Sequence, residues 1–155
     1  MSLVQSLVAC IGRICLGAIF LLSSITEMMD WEGTNHYLLT ILARWTKFYL
    51  GNAEISSIME EMISHSSWIL LLAMGLKLLG SLLVIFGMKV RFGAFLLILF
   101  IVPATILAHD FWHLDGATKA VELVMFLKNL SIFGGLALAL TYGTGVCKKE
   151  TPKAE

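Results

Sequence analysis

Residues 68–88, WILLLAMGLKLLGSLLVIFGM, and residues 92–108, FGAFLLILFIVPATILA, decide the fold class. Each stretch is almost continuously apolar, and only residues 89–91, KVR, separate the two. An α-helix needs about 20 apolar residues to cross the hydrocarbon core of a bilayer, and about 17 are the lower limit. The two stretches therefore predict two membrane-spanning helices joined by a short basic turn.

Two further apolar stretches flank this pair, at residues 3–26 and 121–142. Backbone polar groups in a bilayer must be satisfied within the protein, so each stretch is expected to be helical. The four stretches predict an all-α membrane protein, built as a four-transmembrane-helix bundle. We assign residues 1–147 to this single membrane domain and residues 148–155 to a short polar cytoplasmic tail.

Composition and charge agree with a membrane protein. The 155 residues are 58% hydrophobic and 14% charged, whereas soluble domains are about 45–50% apolar and about 25% charged. Eleven basic and eleven acidic residues cancel, so a nucleic-acid partner is excluded and the lipid bilayer is the expected partner. Basic residues in the turn at 89–91 and in the tail favour an orientation with both termini in the cytoplasm.

The segment at residues 27–67 is too long for a simple turn between the first two spans. It contains an apolar stripe at helical spacing, which predicts an amphipathic helix in the membrane interface between helices 1 and 2. The stripe consists of Leu38, Ile41, Leu42, Trp45, Phe48 and Tyr49, with His36, Arg44 and Lys47 off it. Two interpretations stay open, a lid over the bundle and a packed loop without a ligand.

Ionisable residues within the spans are candidates for function. A charge at the centre of a bilayer costs about 2.5–3.5 kcal/mol on insertion scales, and such residues usually face the interior of a bundle. Three spans carry a polar and small-residue stripe at helical spacing. The stripes are Arg13, Gly17, Phe20, Ser24 and Glu27; Lys77, Gly80, Val84, Gly87 and Arg91; and Lys128, Ser131, Gly135, Ala139 and Tyr142. They predict a shared polar interior, with helix packing alone as the alternative.

The sequence His109-Asp110-Phe111-Trp112-His113 ends the third span. His109 and His113 are four residues apart and could share a helical face, which makes them weak candidates for a transition-metal site with Asp110. No second His or Cys cluster completes the ligand set unless His36 or His65 folds over. A polar cap at the membrane interface is the favoured interpretation.

Four short motifs lie in order along the four spans. They are Arg13-x3-Gly17-x2-Phe20, Gly80-x6-Gly87-x3-Arg91, His109-Asp110-Phe111-Trp112, and Lys128-Asn129-Leu130 with Gly134-Gly135-Leu136. This arrangement resembles the DoxX family of small four-helix membrane proteins from bacteria and archaea. The resemblance implies a multi-pass protein of the bacterial inner membrane. It also implies a role as a non-catalytic or quinone-interacting subunit of a membrane redox complex. Such a complex would be a quinone-linked oxidoreductase.

The resemblance and the charged residues within the spans together set the expected ligands and partners. Quinone or an anionic lipid, a membrane redox partner and a homo-oligomer are expected, with no intrinsic cofactor. Catalysis by this chain alone is not expected, because no nucleophile–base pair or complete metal site is evident. A membrane scaffold and a small-solute transporter or channel are the alternatives. The candidate ligand-binding residues are Arg13, Glu27, Lys77, His109, Asp110, Lys128 and Asn129.

Two charges depart from the pattern of the resembled family, which usually has a basic residue at position 27 and Glu at position 77. The chain has Glu27 and Lys77 instead. A swapped ion pair is one interpretation, although counting residues along the helices places Lys77 well below Glu27. The other is that Lys77 faces Arg13 as a second cation, which requires an anionic partner, water access or a neutral lysine.

Overall fold

The computed structural model describes residues 3–143, and within this range the secondary structure is helical, without strands. Residues 3–143 contain six α-helices: α1 (Leu3–Met29), α2 (Trp31–Phe48), α3 (Ala53–Ser64), α4 (Ser66–Ile85), α5 (Val90–Ala108) and α6 (Gly116–Tyr142). A short 3-10 turn, Phe111–His113, joins α5 to α6. Helices α1, α4, α5 and α6 are long and apolar enough to cross a membrane. The predicted fold class is confirmed; the proposed tail at residues 148–155 lies outside the described residues.

Helix ends extend past the apolar stretches. Helix α1 continues to Met29, and α6 begins at Gly116, five residues before the apolar stretch at residue 121. An apolar run marks the part of a helix that lies in hydrocarbon, whereas hydrogen bonding continues the helix into the polar interface. Helices α1 and α6 therefore carry polar residues at the end of the bundle where α2 and α3 lie, called here the α2–α3 end.

The long helices pack in chain order, with α1 against α4, α4 against α5 and α5 against α6. Helices α4 and α5 form an antiparallel hairpin. The amide of Gly87 donates to the Val84 carbonyl and that of Met88 to the Leu83 carbonyl, a Schellman arrangement that ends α4. Gly87 has φ +70°, which suits glycine. Gly87 is buried, as its predicted place in the interior stripe requires, and it also caps the helix.

Helices α4 and α5 approach each other closely where Gly80 faces Gly93. A Cβ atom added at Gly80 would lie 2.8 Å from the Leu97 side chain and 3.0 Å from the Gly93 carbonyl oxygen. Around this crossing lies the main core, which includes Phe20, Val84 and Leu97. Small residues thus allow the two backbones to approach, which favours packing when lipid removes most of the hydrophobic driving force.

The segment between α1 and α4 forms two helices rather than one. The side chain of Asp30 accepts a hydrogen bond from the Gly33 amide and begins α2, and Asn52 accepts from the amides of Glu54 and Ile55 and begins α3. Such N-caps satisfy amides that have no partner within the helix. The predicted amphipathic stripe is largely buried: Ile41, Leu42 and Trp45 form a second core with Met59 of α3.

We expect Gly80→Leu to lower the free energy of unfolding by about 1–3 kcal/mol, because overpacking forces α4 away from α5. The control is Gly75→Leu on the same helix, where an added Cβ atom meets nothing within 4 Å. Denaturant unfolding in detergent micelles, followed by circular dichroism, measures both variants. Equal stabilities for the two variants would contradict the close crossing at Gly80.

Candidate functional site

An ion pair joins Glu27 of α1 to the buried Lys77 of α4. The two side chains form an ion pair and hydrogen bond, with Lys77 1% exposed and Glu27 24% exposed. The Ser23 hydroxyl donates to Glu27 at 2.8 Å and accepts from the Lys77 ammonium at 3.3 Å. The ammonium also lies 4.8 Å from the ring centre of Phe100. Lys77 is therefore buried with a counter-charge and two further partners.

The direction of the side chains explains this contact, which residue counting along the helices disfavours. Each Cα–Cβ bond in a helix tilts toward the N-terminus of that helix. Helices α1 and α4 run antiparallel, so Glu27 leans from the α2–α3 end into the bundle while Lys77 leans toward that end. The swapped ion pair is the interpretation that the structure supports. The alternative, in which Lys77 faces Arg13, is not: Lys77 contacts Ser23, about 15 Å along α1 from Arg13.

A cavity of about 450 Å³ lies beside this ion pair. Residues of α2, α4 and α5 form most of its wall, with Met62 from α3 and Glu27 from α1. The wall is largely aliphatic and aromatic. Glu27 and Lys77 are the charged residues that line it, and Thr34 and Tyr37 add two hydroxyl groups. An apolar cavity with a few convergent polar groups is the usual form of a small-molecule site.

Helix α2 covers the cavity because it is anchored to the end of α5. The last carbonyls of a helix have no partner within that helix. The indole of Trp45 donates to the Leu107 carbonyl at 2.9 Å, and Arg44 donates to the Ala108 carbonyl at 3.3 Å. Arg44 also forms an ion pair with the fully buried Asp110 at 2.5 Å. These contacts hold α2 across the mouth between α4 and α5.

The two histidines near the end of α5 have separate partners. His109 Nδ1 lies 2.7 Å from a carboxylate oxygen of Glu122, and His113 Nδ1 lies 3.3 Å from Asp110. Helix α5 ends at Ala108, so the four-residue spacing does not place the two histidines on one helical face. The predicted shared face for a metal site is wrong, and His113 instead stacks on Phe48 with ring centres 4.4 Å apart.

The predicted stripe on α6 faces the interior only in part: Gly135 lies against Leu16 of α1 and Ala139 packs on the main core. Lys128, Ser131 and Tyr142 are exposed, whereas Leu136 is the buried residue of α6. Lys128 contacts the Met125 sulfur at 3.2 Å and is remote from the Glu27–Lys77 pair. The interior placement of Lys128 is therefore wrong. Helix α6 contacts α5 and, more sparsely, α1, and an apolar helix in lipid carries little pattern to mark which side packs.

The other predicted site residues occupy three different places. Asn129 donates to the Thr105 hydroxyl at 3.1 Å in a separate groove of about 250 Å³ between α5 and α6. Arg13 is partly buried on α1. Asp110 and His109 take part in contacts at the α2–α3 end. Only Glu27 and Lys77, of the seven predicted residues, line the larger cavity.

Sequence reasoning missed four polar residues near the cavity mouth. Arg44 lies off the apolar stripe of α2, which suggested solvent, and Glu122 is 13 residues beyond its partner His109. Thr34 and Tyr37 stand one helical turn apart on α2. Their spacing could have shown a shared face, but no sequence signal shows that this face meets α4 and α5.

The comparisons with known proteins define the family. A family model described as HR-like lesion-inducing matches residues 5–141, which is most of the chain. The chain belongs to the HR-like lesion-inducing family. It is also 23% identical over 135 residues to the inner membrane protein YphA of Escherichia coli (strain K12), covering 87% of this chain and 82% of that protein. No solved structure matches the chain significantly.

The family match overturns the resemblance to DoxX, which is wrong. The four motifs behind that resemblance consist mainly of glycines, aromatic residues and charged residues. Gly80 serves close helix packing and Gly87 caps α4, which are general needs of small helical membrane proteins. Such residues indicate the architecture of an HR-like lesion-inducing protein without identifying the family. Without the resemblance to DoxX, the quinone and redox expectations no longer rest on a family.

A double-mutant cycle tests the Glu27–Lys77 pair. We expect Glu27→Gln and Lys77→Met each to destabilise the bundle, and the two changes to be coupled by about 1 kcal/mol or more, because each single change leaves an uncompensated charge. Unfolding in detergent measures the four stabilities. The control cycle combines Glu27→Gln with Lys128→Met, where additivity is expected. Additive effects in both cycles would contradict a direct pair.

The anchoring of α2 is tested by Arg44→Met. We expect a loss of about 1–3 kcal/mol in the free energy of unfolding, because buried Asp110 loses its cationic partner. Lys47→Met, at an exposed position one turn along α2, should change stability by less than about 0.5 kcal/mol. Faster amide hydrogen exchange in α2 should accompany the Arg44 change. Unchanged exchange with unchanged stability would contradict the anchor.

Proposed function

We propose that this member of the HR-like lesion-inducing family binds an amphiphile, a molecule with a long apolar body and a small polar end, within the membrane. The observation that carries the proposal is the 450 Å³ cavity between α2, α4 and α5, with an ion pair at one side. Its size falls in the range of about 300–1,000 Å³ that is typical of small-molecule sites. Its apolar wall matches an isoprenoid or acyl chain.

Lateral entry from the bilayer supports this function. Leu72 of α4 and Leu99 of α5 line the cavity and have 65% and 52% of their surface exposed. The cavity is thus continuous with the lipid-facing surface between the two helices. An amphiphile already dissolved in the bilayer can enter without crossing water, so its apolar body remains in an apolar medium throughout.

An isoprenoid quinone and a membrane lipid share this chemistry. In the quinone form of the proposal, the chain is a non-catalytic subunit that presents quinone to a membrane redox partner holding the electron-transferring cofactor. In the lipid form, it stores or presents a lipid. Identification of the bound molecule separates the two forms. A homo-oligomer is compatible with either form.

We also propose that the chain resides in an inner membrane, as the name of the Escherichia coli relative states for that protein. The distribution of basic residues supports an orientation in which the termini and the α4–α5 turn, with Lys89 and Arg91, face the cytoplasm. The α2–α3 end and the mouth of the cavity then lie at the opposite side of the membrane.

The two alternative functions receive less support from the geometry. A transport path lined by Arg13, Lys77 and Lys128 is disfavoured, because Lys128 is on an exposed face and Lys77 is paired with Glu27. A scaffold that binds partners through glycine faces would need those faces to be open. Gly80 and Gly93 are instead used inside the bundle, between α4 and α5, and Gly12, Gly75 and Gly134, which are open, lie on three different helices.

Solvent extraction of the protein purified in a mild detergent, followed by mass spectrometry, tests the proposal. We expect one quinone or one lipid species at a near-stoichiometric amount. Ala73→Phe, which fills the cavity wall on α4, should lower the bound amount at least about fivefold. Gly75→Phe adds the same ring on the same helix, at an exposed position outside the cavity, and should leave it unchanged.

Two results would overturn the proposal. One is recovery of bulk lipid alone, in the proportions of the membrane and at equal amounts from the normal protein and both variants. The other is loss of the bound molecule from the Gly75 variant and not from the Ala73 variant. Quinone in the extract would support the redox form, and a single lipid species would support the lipid form.

A further inference from the structure

We infer that the amphiphile bound in this cavity has an uncharged polar end that both accepts and donates hydrogen bonds, as an alcohol does, rather than an anionic or cationic headgroup. This inference rests on the proposed function and specifies its ligand class. It follows from the way the charges at the cavity are already neutralised and from the polar groups that remain beside them.

The charged groups of the wall cancel each other. Glu27 and Lys77 form an ion pair that Ser23 and Phe100 complete. An anionic headgroup beside this pair gains attraction from the ammonium and suffers repulsion from the carboxylate at nearly the same distance, and a cationic headgroup meets the reverse. Because the cavity is apolar, a net charge on the ligand would lose its hydration without a compensating partner.

The charges just outside the mouth are also paired. The groups near Tyr37 are Arg44, Asp110 and Glu122. Arg44 pairs with Asp110 across the junction of α2 and α5, and Glu122 of α6 hydrogen-bonds His109. The mouth therefore presents no uncompensated charge from the described residues that would select an ionic headgroup.

The uncharged groups that remain are hydrogen-bonding groups of both kinds. The Tyr37 hydroxyl makes no hydrogen bond with residues 3–143, and burial, followed by the Glu122 carboxylate, raises the pKa of this phenol, so it stays a donor at neutral pH. The Thr34 hydroxyl donates to the Asp30 carbonyl at 2.7 Å, which leaves its oxygen free to accept. These two side chains sit on one face of α2.

Helix α5 supplies a further acceptor. Pro103 lies within this helix and lines the cavity. Proline has no amide hydrogen, so the carbonyl of Leu99, four residues earlier, lacks its usual helical donor. Leu99 also lines the cavity. A hydroxyl on the ligand can therefore donate to a backbone or threonine oxygen and accept from Tyr37.

Displacement of radiolabelled hexadecanol from the purified full-length protein tests the inference. The competitors are hexadecanol, hexadecyl phosphate and hexadecylamine, which share one chain and differ in the charge of the polar end. We expect unlabelled hexadecanol to compete at least about tenfold better than either charged competitor. Tyr37→Phe should weaken the binding of hexadecanol about two- to tenfold, because one hydrogen bond is lost.

The decisive variant is Glu27→Gln, which leaves the Lys77 ammonium without its counter-charge. We expect hexadecyl phosphate to compete at least about tenfold better for this variant than for the wild-type protein, because the buried Lys77 ammonium now attracts an anion. Glu60→Gln, on an exposed face of α3, is the matched control and should show no gain. If the Glu27 variant does not fold, Lys77→Gln should produce the corresponding gain for hexadecylamine.

The failure of this inference is distinguishable from failure of the proposed function. If hexadecyl phosphate displaces the label from the wild-type protein as well as hexadecanol does, or if the folded Glu27→Gln variant shows no shift in preference, the inference of an uncharged end is overturned. The proposal of amphiphile binding then still stands. If hexadecanol shows no saturable binding and no amphiphile is recovered by extraction, the proposed function itself fails.

Discussion

The packing of three long helices depends on the buried ammonium of Lys77. A charge in the middle of an apolar bundle is tolerated when a counter-charge and hydrogen-bond partners reach it. Helix α1 provides both through Glu27 and Ser23, which ties the end of α1 to the middle of α4. On the opposite side, the Phe100 ring of α5 lies against the same ammonium. Three long helices thus meet around one charge.

The cavity is a consequence of how α2 completes the end of α5. Trp45 and Arg44 donate hydrogen bonds to the last carbonyls of α5. Helix α2 is therefore held across α4 and α5. Pro103 and the small side chains Ala73 and Ala104 leave space beneath it. The same contacts that satisfy a helix end therefore cover an apolar space beside the ion pair.

Sequence reasoning predicted the helices better than it predicted their faces. Runs of apolar residues reveal membrane-spanning helices because hydrocarbon accepts few polar groups. Within the bilayer, however, both the lipid-facing and the buried sides are apolar, so periodicity is a weak guide to the buried face. It correctly located the buried face of α1, but it placed Lys128 of α6 inside, whereas this residue is exposed. On α2, which lies outside the spans, polar and apolar faces differ, and the stripe through Leu42 and Trp45 was buried as expected. Family assignment from four packing motifs failed because such motifs report helix contacts.

By itself, the sequence determined the number of membrane-crossing helices, the amphipathic character of the segment between the first two and the presence of charged residues at membrane depth. These properties depend on local hydrophobicity and on the 3.6-residue period of a helix. Only the tertiary structure decided which charges meet, since Glu27 and Lys77 are 50 residues apart and their contact depends on antiparallel packing and on the tilt of each Cα–Cβ bond. The same holds for Arg44 and Asp110, and for the cavity, which exists only where three separate helices leave a space between them.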